Sequence, residues 1–257
     1  MIHGFTGNHE GFQYIQPLLD QYHLIIPDLP GFGASTITSD DWSIDAIASL
    51  LNEFVEKLAL PKPPHIFGHS MGGLVVASMV DQRPDLYANV VLVAPVPTAV
   101  ERHDSRYIGS RLGEFQYKLG HKLPFIGTRL VKSRLISRAI TSRLTTTPNP
   151  ELRRNIYQHH YDNLDRISDI EFYEVLNHDI NRRGAIDYAP ELKKKRLLLI
   201  VNDSDIVTPF EQQKRLIDTI KPERVLTIPG ANHLSHYEYP EAIAQATLQF
   251  LDHHSSR

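Results

Sequence analysis

Apolar residues along this chain fall into two rhythms. Short, nearly unbroken apolar runs near residues 23 to 27, 64 to 68, 89 to 95, 196 to 201 and 224 to 228 have the length of buried strands. Between them apolar positions recur at helical spacing, from Ser43 to Val55 with Ser43 as a plausible N-cap, and again from Pro240 to Leu251. Strands that alternate with helices predict a parallel sheet covered by helices. From Pro97 to about Tyr188 the strand rhythm stops and helix-like patterns continue alone. The predicted organisation is therefore an α/β core over residues 1–96 and 189–257, interrupted by a helical insertion over 97–188.

The pentapeptide Gly68-His69-Ser70-Met71-Gly72 lies between the apolar run His65-Ile66-Phe67 and the small-residue stretch that begins at Gly73. A serine in such a setting sits on a sharp strand-to-helix turn, where flanking glycines avoid clashes with neighbouring backbone. The turn presents the hydroxyl to a pocket and leaves the N–H of Met71, at the start of the next helix, able to meet a developing oxyanion. A hydroxyl is a poor nucleophile at neutral pH, so an imidazole must take its proton during attack on a carbonyl, and a carboxylate must orient that imidazole. An acid and then a histidine follow in the required order. Asp205 lies just beyond the apolar run Arg196–Val201, and His233 follows Arg224–Ile228 and a Pro-Gly loop. Both fall at the C-terminal ends of predicted parallel strands, where ligand-binding and catalytic groups gather.

At this point the chain resembles the α/β-hydrolase superfamily over nearly its whole length. His3-Gly4-Phe5 is similar to that family's His-Gly-X loop, and Asp28-Leu29-Pro30-Gly31-Phe32-Gly33-Ala34-Ser35 to its Asp-x-x-Gly-x-Gly-x-Ser loop; the serine elbow and the Asp and His loops complete the set. The resemblance implies an α/β-hydrolase fold with a mostly parallel central sheet, flanking helices and a helical cap. It implies Ser70 as nucleophile, His233 as general base and acid, Asp205 as the orienting carboxylate, and the N–H groups of Phe5 and Met71 as the oxyanion hole. Asp205 is preferred to Asp203, which is expected to cap backbone N–H groups in the same turn. Asp28 is expected to hold its glycine-rich loop together. His236 is expected to be a solvated residue at a helix entry, and the pairs His159-His160 and His253-His254 to be exposed polar positions. The family places two strands and most of a third before its His-Gly loop, whereas only Met1 and Ile2 precede it here. The N-terminal strands are thus expected to be missing, through a late start or a truncation, or else through a genuinely shortened fold, with the Phe5 loop hanging from a free terminus.

Composition narrows the chemistry further. The 257 residues include no cysteine, which excludes disulfides, thiolate metal sites and a cysteine nucleophile. No metal or other cofactor is expected. The net charge of −3 and the lack of a nucleic-acid-binding signature argue against DNA or RNA as partner. No apolar stretch is long enough to span a bilayer, and the first residues lack a leader pattern, so a cytoplasmic protein without stable membrane insertion is expected. Oligomeric state is not readable from the sequence.

The first part of the insertion is basic, with Arg102, Arg106, Arg111, Lys118, Lys122 and further cations outnumbering Asp104 and Glu114. It reads as a helical lid whose apolar face covers the site and whose cations point to water. The alternative is a cationic lid that favours substrates with an anionic part or touches anionic lipid. A serine at the elbow disfavours the dehalogenase and epoxide hydrolase relatives, which use an aspartate there. The leading expectation is hydrolysis of a carboxylic ester of a small or medium acyl substrate through an acyl-Ser70 intermediate. Alternatives are a C–C bond hydrolase of dicarbonyl compounds, with a cap arginine on the substrate carboxylate, or a non-catalytic ligand-binding protein.

Overall fold

The computed structural model describes residues 1–37, 41–102, 104 and 106–252. Four strands form one parallel sheet in chain order: β1 (Ile66–His69), β2 (Asn89–Val93), β3 (Arg196–Asn202) and β4 (Arg224–Ile228). The register sets Phe67 opposite Val91, Val91 opposite Leu198, and Leu199 opposite Val225. Side chains alternate across the sheet because successive strand residues point to opposite faces. Ile66, Val90, Leu92, Leu197 and Leu199 enter one apolar core, whereas Phe67, Val91, Val93, Leu198 and Ile200 enter the other.

Helices α1 (Ile44–Lys57) and α2 (Met71–Gln82) supply the first core. Ser43 caps α1, accepting from the Ala46 N–H and satisfying a donor that the first helical turn leaves unpaired. Between β2 and β3 the chain forms α3 (Tyr107–Lys122), α4 (Pro124–Val131), α5 (Arg134–Leu144), α6 (Pro150–Asp165), α7 (Ile170–Arg182) and the short α8 (Ala189–Leu192). No strand interrupts these helices among the described residues. After β3 come α9 (Phe210–Ile220), the short α10 (Ser235–Glu238) and α11 (Pro240–Asp252), the last packing on the second core. Among the described residues no helix is long and apolar enough to cross a membrane.

Two expectations about the N-terminal region are corrected. The run at residues 23–27 is not a strand. It lacks a ladder partner, and its contact with the start of the chain is a bond of 2.7 Å from the Met1 amine to the Ile25 carbonyl. Nor does the Phe5 loop hang from a free terminus. The Ile2 N–H donates to the Phe67 carbonyl at 2.8 Å and its own carbonyl accepts from the His69 N–H at 3.1 Å, a parallel bridge to β1. Beside that bridge lies an apolar pocket of about 660 Å³ lined by Leu24, Ile25, Leu51, Val55, Ile66 and Phe67.

Polar contacts hold the helical segment between β2 and β3 in place. Arg106, expected in water, is buried, paired with Asp104 and donating to Thr98. Its Nε and Nη2 donate to Asp104, Thr98 and Ala99, so the buried cation is paired and hydrogen-bonded. Between α5 and α6 the N–H groups of Thr146 and Thr147 donate to the Glu238 carboxylate.

Candidate active site

The turn between β1 and α2 forces Ser70 into an uncommon backbone conformation, with φ 55° and ψ −121°. Such geometry costs free energy and persists only where the surroundings over-determine it. Here the Ser70 N–H donates to the Val93 carbonyl, and the Ser70 carbonyl accepts from Gly73 and Val96. The flanking glycines are required by close approach: a Cβ on Gly68 would lie 2.4 Å from the Gly72 carbonyl oxygen, and one on Gly72 would lie 2.2 Å from that of Ile2.

Ser70 Oγ lies 2.8 Å from Nε2 of His233, and Nδ1 of the same ring lies 2.9 Å from Oδ2 of Asp205. The three residues come from three separate sheet-edge loops, after β1, β3 and β4. Asp205 is buried and ringed by donors: its Oδ1 accepts from the N–H groups of Val207 and Thr208, and its Oδ2 from the Thr208 hydroxyl, each at 2.8 Å. Burial works to raise its pKa, but His233 and the Thr208 bonds outweigh it and hold the carboxyl well below the usual carboxylate range. Asp203 does not join this chain; it accepts from the Gly230 N–H at 2.7 Å and caps the turn.

The Phe5 loop packs directly on the elbow. A Cβ added to Gly4 would sit 3.2 Å from Ser70 Cβ. Among the described residues neither the Phe5 N–H nor the Met71 N–H, the first of α2, donates a hydrogen bond. His3 positions this loop: its Nδ1 donates to the Gly4 carbonyl at 2.9 Å and its Nε2 accepts from the Leu29 N–H at 3.0 Å. Both ring nitrogens are thus satisfied in the neutral form, and burial lowers the pKa to about 4. Asp28 holds the adjacent loop by accepting from the N–H groups of His9 and Ala34.

A small pocket of about 110 Å³ opens beside Ser70 and His233, between the Phe5 loop, the His233 loop and α6. Its lining corrects two expectations. His236 is not solvated but 6% exposed, with its ring centroid 3.9 Å from that of His69. His159 is buried, and His160 lines the pocket with Nδ1 2.7 Å from the Thr141 hydroxyl. Burial pushes His160 down to about 4 and His236 well below the ordinary histidine value, so both rings are neutral near pH 7. Nδ1 of His236 and Oδ1 of the pocket-lining Asn163 have no hydrogen-bond partner among the described residues. His253 and His254 lie outside the described residues.

Four contributing residues are not singled out by the sequence pattern: Thr208, Asn232, His160 and Asn163. Thr208 stands three residues after Asp205, the spacing of a side chain that folds back on a local turn, and that signal was available. Asn232 bridges two loops, its Oδ1 accepting from the N–H groups of Ile206 and His233 and its amide donating to the Arg143 carbonyl. Only its place before His233 marks it. His160 and Asn163 share a face of α6 at i, i+3, yet nothing local tells that this face meets the elbow. No group of three or more acidic, histidine or cysteine side chains among the described residues is arranged to hold a metal ion.

Comparison with known proteins agrees with this architecture. The chain is 27% identical over 256 residues to the uncharacterized hydrolase YugF of Bacillus subtilis (strain 168), covering 97% of this chain and 88% of YugF. It is 38% identical over 109 residues to Lipase 3 of Moraxella sp. (strain TA144), a match confined to 39% of this chain and 35% of the lipase. Its fold superposes on a thermophilic esterase from Thermogutta terrifontis with a TM-score of 0.78, over 98% of this chain and 88% of that one, at 22% identity. The family described as alpha/beta hydrolase fold matches residues 1–240. With a parallel sheet, a serine elbow and that match over almost its full length, the chain belongs to the alpha/beta hydrolase family.

Proposed function

We propose that this hydrolase cleaves carboxylic esters of small or medium acyl groups, with Ser70 as nucleophile, His233 as base and acid, and Asp205 as the orienting carboxylate. The observation that carries the reading is the unbroken chain of hydrogen bonds from Ser70 Oγ through His233 to Asp205. Ser70 Oγ attacks the ester carbonyl carbon while its proton passes to Nε2 of His233. The carbonyl oxygen becomes an oxyanion, met by the N–H groups of Phe5 and Met71. Collapse breaks the bond to the alcohol oxygen, which takes the proton from His233 and departs, leaving acyl-Ser70. Water then attacks the acyl carbon, giving its proton to His233, and the acid leaves as Ser70 recovers its own. Asp205 stays ionised throughout, stabilising the imidazolium and keeping Nε2 available. All of these steps use protein groups and water alone.

Helices α3–α7 serve in this reading as the cap over the site. Phe5 is in ring contact with Tyr117 of α3 and Tyr173 of α7, at 5.8 and 5.6 Å between centroids, which ties these helices to the loop beside the elbow. Lipase and esterase relatives support ester chemistry. A C–C hydrolase would need a cation for the substrate carboxylate, and no lysine or arginine lines the pocket beside Ser70 among the described residues. The deciding experiment is hydrolysis of p-nitrophenyl esters of increasing acyl length by wild type and Ser70→Ala, with circular dichroism to confirm folding. Activity lost in the variant is expected. Equal activity in both, or none in folded wild type, would refute the assignment.

A further inference from the structure

Helices α3–α5 expose apolar side chains that an isolated domain in water has no reason to leave uncovered. Phe125 is 80% exposed, Leu135 82%, and Leu112 and Phe115 63% each. These four are the most exposed large hydrophobic residues among those described, and all lie within 24 positions of one another in the insertion. They are not the neglected back of an amphipathic helix. The inner side of α3 already packs on α4 and α7, so close to α4 that a Cβ on Gly127 would overlap the Cα of Gly120. The outer side is a second, independent surface. On it Arg111, Phe115, Lys118 and Lys122 recur at i, i+4, i+7 and i+11, a single stripe of exposed residues, with Leu112 beside it.

Charge selects the partner. From Tyr107 to Leu144 the sequence holds eight lysines and arginines and one carboxylate, Glu114, although the whole chain carries a net charge of −3. A surface that mixes cations with protruding Phe and Leu has the chemistry of a bilayer interface. The apolar side chains enter the boundary between headgroups and acyl chains while the long basic side chains reach the phosphates. We propose that the α3–α5 face docks this protein on an anionic lipid surface. The docked face belongs to the elements that cover the elbow, with Tyr117 in ring contact with Phe5 and Leu144 lining the pocket at Ser70. Docking thus sets the site against the layer in which ester-bearing lipids reside. The inference concerns binding and stands independently of the proposed reaction.

The test is co-sedimentation of the full chain, as Ser70→Ala to remove turnover, with vesicles of phosphatidylcholine alone or with a third phosphatidylglycerol. The expected result is binding to the anionic vesicles, weak binding to the neutral ones, and release as salt is raised. Phe125→Ser with Leu135→Ser is expected to weaken binding at least tenfold, and Lys118→Glu with Lys122→Glu by a similar factor, since each basic residue near the surface contributes roughly fivefold. All four positions are exposed, so folding is expected to survive, which circular dichroism checks. Three outcomes would overturn the proposal. These are equal affinity for the two vesicle types, binding indifferent to both pairs of substitutions, or no vesicle binding; with the last, a dimer in light scattering that Phe125→Ser dissolves would assign the face to a second copy of the chain.

Discussion

Thr208 grips the carboxylate of Asp205 twice, through its N–H to Oδ1 and its hydroxyl to Oδ2, both at 2.8 Å. The second oxygen is the one that faces His233. A charged acceptor held in a buried place by local donors cannot rotate away, and the imidazole is oriented in turn. Thr208→Val keeps the shape and removes one bond. It is expected to lower kcat/KM about tenfold, the value of a hydrogen bond to a charged group, and to move the acid limb of the pH–rate profile upward. A profile that only scales, without moving, would make Thr208 a packing residue.

Gly4 offers a test of the loop that carries Phe5. In Gly4→Ala the new methyl group would press on Ser70 Cβ at 3.2 Å and approach His69 Nδ1 at 3.4 Å, so the loop must yield by a few tenths of an ångström. Misplacement on that scale is expected to reduce kcat about tenfold or more while leaving KM nearly constant. A matched loss in KM, with kcat intact, would place the effect on ground-state binding instead.

Stability should fall early on acidification, and buried histidines are the reason. His3, His69 and His160 are lowered to about 4, 3 and 4 by burial, against about 6.5 in the unfolded chain. Between those values the unfolded chain binds more protons than the folded one. The contribution of each ring is therefore complete above about pH 6.5 and is lost as pH falls toward the folded value. Asp205 adds a second loss at lower pH, below about 4, because its folded carboxyl resists protonation. Urea unfolding midpoints are expected to drop steadily from pH 7 to pH 5, and less steeply in His69→Gln. A flat midpoint over that range would contradict the neutral, buried state of these rings.

With the pocket beside Ser70 taken as the seat of the leaving alcohol in the proposed reaction, its polar lining predicts a preference in that alcohol. Asn163 Oδ1 and His236 Nδ1 lack partners among the described residues, and a site whose buried polar atoms stay unpaired discriminates against a purely apolar group. Butyrate esters of propane-1,2-diol and glycerol are expected to exceed propyl butyrate in kcat/KM by roughly tenfold. That ratio should fall toward unity in Asn163→Leu. A wild-type preference for the propyl ester would reverse the assignment of this pocket.

Much of the core and of the Ser70, Asp205 and His233 arrangement was legible because both are written locally. The apolar stretches within the five-residue strands β2 and β4 and the seven-residue strand β3, and the glycines around Ser70, encode strands and a sharp turn without reference to distant residues. His236 and His159 were misjudged for the opposite reason. Polar side chains are read as solvated by default, whereas His236 lies against His69 and Phe12, and His159 against Tyr237, contacts between elements remote in sequence. The run at 23–27 failed as a strand because pairing, unlike apolar character, depends on a neighbour.

From the chain alone follow the alternation of elements, the order serine, acid, histidine, and the basic stretch between β2 and β3, since each depends on residue type and spacing. Tertiary structure alone decided how Ile2 ties the Phe5 loop to β1 and which histidines lose water. It also left Phe125 and Leu135 outside while drawing Arg106 in. Burial and hydrogen-bond partnership come from elements remote in sequence, and no local pattern encodes which of them will pack together.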